Sequence, residues 1–180
     1  MPDETFAEYE KMKTFLSFGD KEAAALQSLK PLFEQHGGGI TDRFYEVLGQ
    51  NEATASLIEG RVDALKAIHG VWMMELFSGD YGRGYFDRRE RIGQAHVRIN
   101  LPPEFVEGVM SFIRAEGVAL INANVPEADR ELAISALIKI LDLDLIVINL
   151  AYSEERIDRI TRLTGMRRRL IENIIRASKK

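Results

Sequence analysis

The chain contains no cysteine and only three histidines. Disulfides, thiolate nucleophiles and zinc–thiolate centres are therefore excluded, and any polar chemistry inside the protein rests on few side chains. Long apolar runs are missing as well, and no stretch approaches the roughly 18 uninterrupted apolar residues that a membrane span needs. The first residues, MPDETFAEYEKMK, are charged and hold no apolar segment of signal-peptide type. Together these absences lead to the expectation of a cytoplasmic protein. Proline and glycine are sparse, at 5 and 14 residues, which argues against a disordered or fibrous chain. Strand patterning is absent too: no window of six or more residues alternates as a half-buried strand would.

What is present is helical periodicity, over 180 residues of which 46% are hydrophobic, enough for one domain with a full core. The fold class read from this is all-α. Helices are expected over residues 3 to 16 and from Asp20 to His36, with Leu26, Leu29, Leu32 and Phe33 inward. Gly37, Gly38 and Gly39 are expected to stop the second helix, because residues without a Cβ lose much backbone freedom on entering one. A third helix carries Phe44, Tyr45 and Leu48, and Leu65, Ile68, Trp72 and Leu76 form one stripe on a helix between about 56 and 77. After SGDYGRG, a helix from Tyr85 to Ile99 has the inward stripe Tyr85, Arg89, Ile92, His96, Ile99. Pro102 and Pro103 open the next helix and Pro126 the last, since proline suits a first turn. In ALIKILDLDLIVINLAY the apolar residues spread wider than one face, which reads as a helix covered on two sides and suggests a subunit interface.

Charge divides the chain unevenly. From residue 156 onward nine Arg or Lys oppose only Asp158 and Glu172, although the whole chain carries a net charge of -4. Isoleucine and leucine interleave with these basic residues and no aromatic does, so stacking on bases is not supported and nucleic-acid binding is not expected. The expected division is a domain over 1–155 and a basic amphipathic helical tail over 156–180.

His96 stands out because it lies on an apolar helical stripe. A histidine so placed is ordinarily a core residue bonded to a backbone carbonyl, and His36 and His69 are read that way. A neutral imidazole is also a metal ligand, with its other nitrogen held by a hydrogen bond. One such ligand holds no free ion tightly. It can hold iron where a porphyrin supplies four more ligands and the protein supplies an apolar slot. Leu65, Ile68 and Trp72 suit one wall of such a slot. Tyr45, whose phenol stays protonated at neutral pH with a pKa of about 10, is a candidate donor to a polarised bound gas, though it also reads as a half-buried core aromatic.

The segments FYEVL, ALKAIHGVWMMELFSG and YFDRRERIGQAHVRINLPPEFV together resemble the sensor-type haem globins: the globin-coupled sensors, with the related protoglobins as cousins. The similarity covers about residues 10 to 155, and its specific part is Arg91, Ile92, His96, Arg98, Ile99, Leu101 and Pro103. It implies a globin fold with an extra N-terminal helix and a reduced D region, dimerising through the last two long helices. It implies haem b (iron protoporphyrin IX) held by His96 as the iron ligand, with Tyr45 as donor. Phe44, Leu65, Ile68, Trp72, Ile92, Ile99, Phe105 and Met110 would form the pocket wall. Asn100 stands where glycine is frequent in the family, and Ile68 where some members carry a hydroxyl.

The implied function is a haem-based gas sensor that binds O2, CO or NO, oxygen foremost. It would work as a homodimer and pass the bound state to a C-terminal output domain such as a histidine kinase, a diguanylate cyclase or a chemotaxis transducer. No enzymatic activity is expected of this chain, nor any nucleic-acid or membrane partner. Two other readings compete. One is a non-haem globin-fold interaction module, against which His96 and Tyr45 argue. The other is a haem enzyme of peroxidase or NO-dioxygenase type, against which the lack of an acid or base at Leu65 and Ile68 argues.

Overall fold

A computed structural model describes residues 2–177 as eight helices, with no strand among the described residues. They are α1 (Pro2–Phe15), α2 (Asp20–Gln50), α3 (Glu52–Ile58), α4 (Val62–Glu75), α5 (Arg83–Arg98), α6 (Pro103–Asn124), α7 (Glu127–Thr164) and α8 (Arg168–Ala177). None of the described helices is long and apolar enough to cross a membrane. The all-α class and the proline-led starts of α6 and α7 agree with the sequence reading.

Two helix boundaries differ from that reading. The glycine triplet does not stop a helix, since α2 runs through Gly37, Gly38 and Gly39 without a break. A Cβ built at Gly37 would lie 2.7 Å from Met73 Sδ, so the missing side chain lets α4 lie close against α2. Packing along 31 residues of α2 outweighs the roughly 1 kcal/mol that each interior glycine costs. The single helix expected over 56 to 77 is instead two, divided at Glu59–Arg61, where Gly60 takes a positive φ of 69°. Between the long α2 and α4 only the seven-residue α3 intervenes, in keeping with a reduced region there.

The centre of the molecule is α7, which packs against α1, α2, α5, α6 and α8. Much of its apolar breadth is covered within the chain, since Leu137, Ile140, Leu141, Leu143, Val147 and Ile148 are all buried, while Ile138, Leu145, Ile146 and Leu150 stay half-exposed. Full burial of such side chains stabilises by about 1.5–3 kcal/mol each. The α5 helix crosses α7 tightly at Gly93. A Cβ at Gly93 would lie 2.8 Å from Ala151 Cβ and 3.1 Å from Ile148 Cα, so only glycine fits there. That crossing fixes α5 three residues before His96. The α7 helix continues unbroken to Thr164, where Gly165 at φ 67° turns the chain into α8. Arg168 of α8 ties back to Glu154 and Asp158 on α7.

Candidate functional site

A cavity of about 210 Å³ opens between α2, α4, α5 and α6. All ten residues named from the sequence line it: Phe44 and Tyr45 from α2; Leu65, Ile68 and Trp72 from α4; Ile92 and His96 from α5, with Ile99 just past its end; Phe105 and Met110 from α6. Burial grades along α5. Tyr85 and Arg89 are fully buried, His96 is half-buried, and Ile99 reaches solvent at the cavity rim, as Ile68 does on α4. Just past the end of α5, Asn100 sits at a φ of 54°. That left-handed conformation is one glycine takes freely and asparagine tolerates, so this turn keeps its shape with Asn in place of Gly.

The lining is almost wholly apolar, and its polar groups are few. The Tyr45 hydroxyl has no hydrogen-bond partner among the described residues, and burial pushes its pKa up to about 12, so it remains a protonated donor. His96 Nδ1 is buried and also without a partner, so the hydrogen bond expected to hold its second nitrogen is not formed among the described residues. Desolvation lowers the His96 pKa and keeps its imidazole neutral, with a lone pair available.

His69, read from the sequence as a core histidine, belongs to the site as well. It lines the same cavity from α4, with ring centroids 5.1 Å from Phe44, 5.0 Å from Trp72 and 6.2 Å from Tyr45. Its Nδ1 lies 2.9 Å from Thr41 Oγ1, its Nε2 is buried without a partner, and desolvation pushes its pKa down to about 4. A position one residue after Ile68 was the only signal in the sequence. The α4 wall therefore carries an imidazole beside Leu65 and Ile68, a group of the kind peroxide chemistry uses as acid or base.

Behind Trp72 lies a second polar group of a different kind. The Asp144 carboxylate on α7, fully buried, accepts hydrogen bonds from Trp72 Nε1 at 2.8 Å, Arg89 Nε at 2.8 Å and Tyr85 Oη at 2.6 Å. Arg89 also donates to the Trp72 carbonyl at 3.2 Å and pairs with Glu75. Burial raises the Asp144 pKa, opposed by the Arg89 guanidinium and the phenol and indole donors. The ion pair helps keep Arg89 charged despite its own burial.

Among the described residues no cluster of three or more His, Cys, Asp or Glu is placed to hold a bare metal ion. A porphyrin supplies four of its own ligands, so a single neutral imidazole suffices for it. An apolar cavity edged by two neutral histidines, each with an unpartnered buried nitrogen, fits that group.

Comparison with known proteins agrees. The protoglobin family model matches residues 5–158. The chain belongs to the protoglobin family. This protoglobin-family chain is similar to the globin domain of the Geobacter sulfurreducens globin-coupled sensor, at a TM-score of 0.76 and 32% identity over 79% of this chain and 96% of that one. The ferric globin domain of E. coli DosC shares the fold, at a TM-score of 0.67 and 16% identity over 79% of this chain and 98% of that one. The heme-based aerotactic transducer HemAT of Halobacterium salinarum is 31% identical over 98 residues, which are 53% of this chain and 20% of the transducer. The match thus spans about a fifth of that relative's length. The fold is a globin fold of globin-coupled-sensor type, and the family implies haem binding.

Proposed function

We propose that this chain is a haem-based gas-sensing domain. The observation that carries the reading is the pair of half-buried, neutral imidazoles lining one apolar cavity, each with one buried nitrogen that has no partner, and with His96 on the helix that the family resemblance assigns to the iron ligand. Unsatisfied buried polar atoms each cost about 1–3 kcal/mol, and two of them on residues that line one cavity support a reading in which that cavity is filled. Haem b, when bound, supplies reversible binding of a diatomic gas. His96 holds its iron, while Leu65, Trp72, Ile92 and Met110 exclude water. Tyr45 and His69 are the polar groups available to sense a bound gas, oxygen foremost with CO and NO as further ligands.

The half-exposed Ile138, Leu145, Ile146 and Leu150 leave an apolar strip on α7 over which a second copy would pack, and the reading includes a homodimer through α6 and α7. By analogy with the transducer and the sensor it resembles, the domain passes its state to a C-terminal output module. A gas shifts that output only through different affinity for two arrangements of the helices.

The test is optical. Protein loaded with haem is expected to show a Soret band that shifts on reduction and again on adding CO. His96→Ala is expected to release haem about 100-fold faster. A chain that takes up no haem, or a His96→Ala variant that keeps it as well as the parent, ends this reading.

A further inference from the structure

The buried groups that the proposed site leaves unused are those behind Trp72. One carboxylate, Asp144, joins three helices: it is bonded to Trp72 of α4, to Arg89 and Tyr85 of α5, and itself belongs to α7. Trp72 is a wall of the cavity, and Arg89 lies two turns before His96 on the same helix. The α5–α7 crossing at Gly93 leaves no slack between these points, since backbone atoms of Ile148 lie directly against it. Buried ion pairs are seldom needed for stability alone, because apolar side chains of similar volume often hold a core as well. What the charged group adds is direction: three donors converging on two oxygens fix how three helices sit against one another.

We propose that Asp144 is a positioning residue for the candidate haem site, coupling the Trp72 wall and the His96 helix to α7, so that ligation in the cavity is read out along α7. This rests on the haem reading of the cavity. Neither Asp144, Arg89 nor Tyr85 lines the cavity, so the network is reached through Trp72, through the α5 backbone and through Ile148, which brings α7 itself to the cavity wall four residues after Asp144.

The experiment is amide hydrogen exchange on the haem-loaded full chain, ferrous and ferrous with CO. In the parent, CO is expected to change exchange rates over residues 140–151 of α7 by about twofold or more. Asp144→Asn, scored where it retains its Soret band, is expected to abolish the α7 response while the response in α4 and α5 persists. Should Asp144→Asn fail to fold, Tyr85→Phe removes one donor, leaves the ion pair in place, and is expected to reduce the α7 response by roughly half. An unresponsive α7 in the parent overturns the proposal, as does a full response in Asp144→Asn or, where that variant does not fold, in Tyr85→Phe. A missing Soret band in the parent is a separate failure, that of the haem reading itself, and shows before any exchange is measured.

Discussion

Trp72 separates two interiors that treat polar groups in opposite ways. On its α7 side the Asp144 carboxylate is met by three donors, and Arg89 finds a carboxylate, a carbonyl and a second acid. On its cavity side His69 Nε2 and His96 Nδ1 are buried with nothing to bond. A polar network that is fully satisfied holds helices in place and asks for no ligand. Unpaired nitrogens in an apolar hollow are costly to keep in the fold, and that cost sets the cavity apart from the rest of the interior. The difference separates the scaffold from the site within a few ångströms of one indole.

The largest expected effect comes from breaking the satisfied side. Asp144→Ala leaves Arg89 fully buried with half of its acidic partners removed, and the expected loss in urea unfolding is about 3–5 kcal/mol. The double variant Arg89→Met with Asp144→Leu removes both charges and is expected to recover most of that loss. A cost below about 1 kcal/mol for Asp144→Ala would mean the network is not what holds α4, α5 and α7 together.

The cavity side answers to pH instead. His69 titrates in the folded chain at about 4, below the ordinary histidine value of about 6.5, because burial disfavours its charged form. Between these two values the unfolded chain carries a proton that the folded chain does not, so stability falls as pH falls through this window. It is fully present above about 6.5 and levels off below about 4. Measured without haem, the loss is expected to be about 2 kcal/mol, allowing for the solvent that still reaches the ring. His96, shifted in the same direction, adds to it. His69→Leu is expected to flatten the His69 part of the profile, and an unchanged profile would show that His69 is not held neutral by burial.

The two interiors were unequally legible in the sequence. His96 and Arg89 were placed inward by the 3.6-residue stripe on α5, and both point inward in the fold. Asp144 was not, because within the run LDLDL it looks like any charge on a solvent face, and its three donors lie 55 to 72 positions away in the chain. His69 lies one position off the Leu65, Ile68, Trp72 stripe, yet it reaches the cavity. Periodicity fixes the buried face of a helix only against a known neighbour, and here the neighbour is α2, brought close at Gly37, the first glycine of the triplet read as a break. The breadth of apolar residues on α7 showed that it is covered on two sides but not by which elements, and α1, α2, α5 and α6 of the same chain supply much of that cover.

The smallest expected effect is also the finest test of the cavity. Tyr45 packs on Phe44 with ring centroids 4.7 Å apart, so Tyr45→Phe keeps the aromatic contact and removes only the hydroxyl. If that hydroxyl donates to bound oxygen, its loss costs about 1.4 kcal/mol, and stopped-flow oxygen dissociation is expected to quicken about tenfold. The neighbouring imidazole offers a competing donor, since His69 Nε2 is unpartnered while Nδ1 is taken up by Thr41. The single hydroxyl hydrogen of Thr41 decides between them, since Thr41 Oγ1 can give it to the Gly37 carbonyl at 3.2 Å, leaving the ring to donate, or to His69 Nδ1 at 2.9 Å. If Thr41 donates, His69 carries its proton on Nε2 and can donate into the cavity; if the ring donates to Thr41, Nε2 is a bare lone pair and Tyr45 is the donor. Oxygen dissociation that quickens in His69→Leu but not in Tyr45→Phe assigns the role to His69, and the opposite result assigns it to Tyr45.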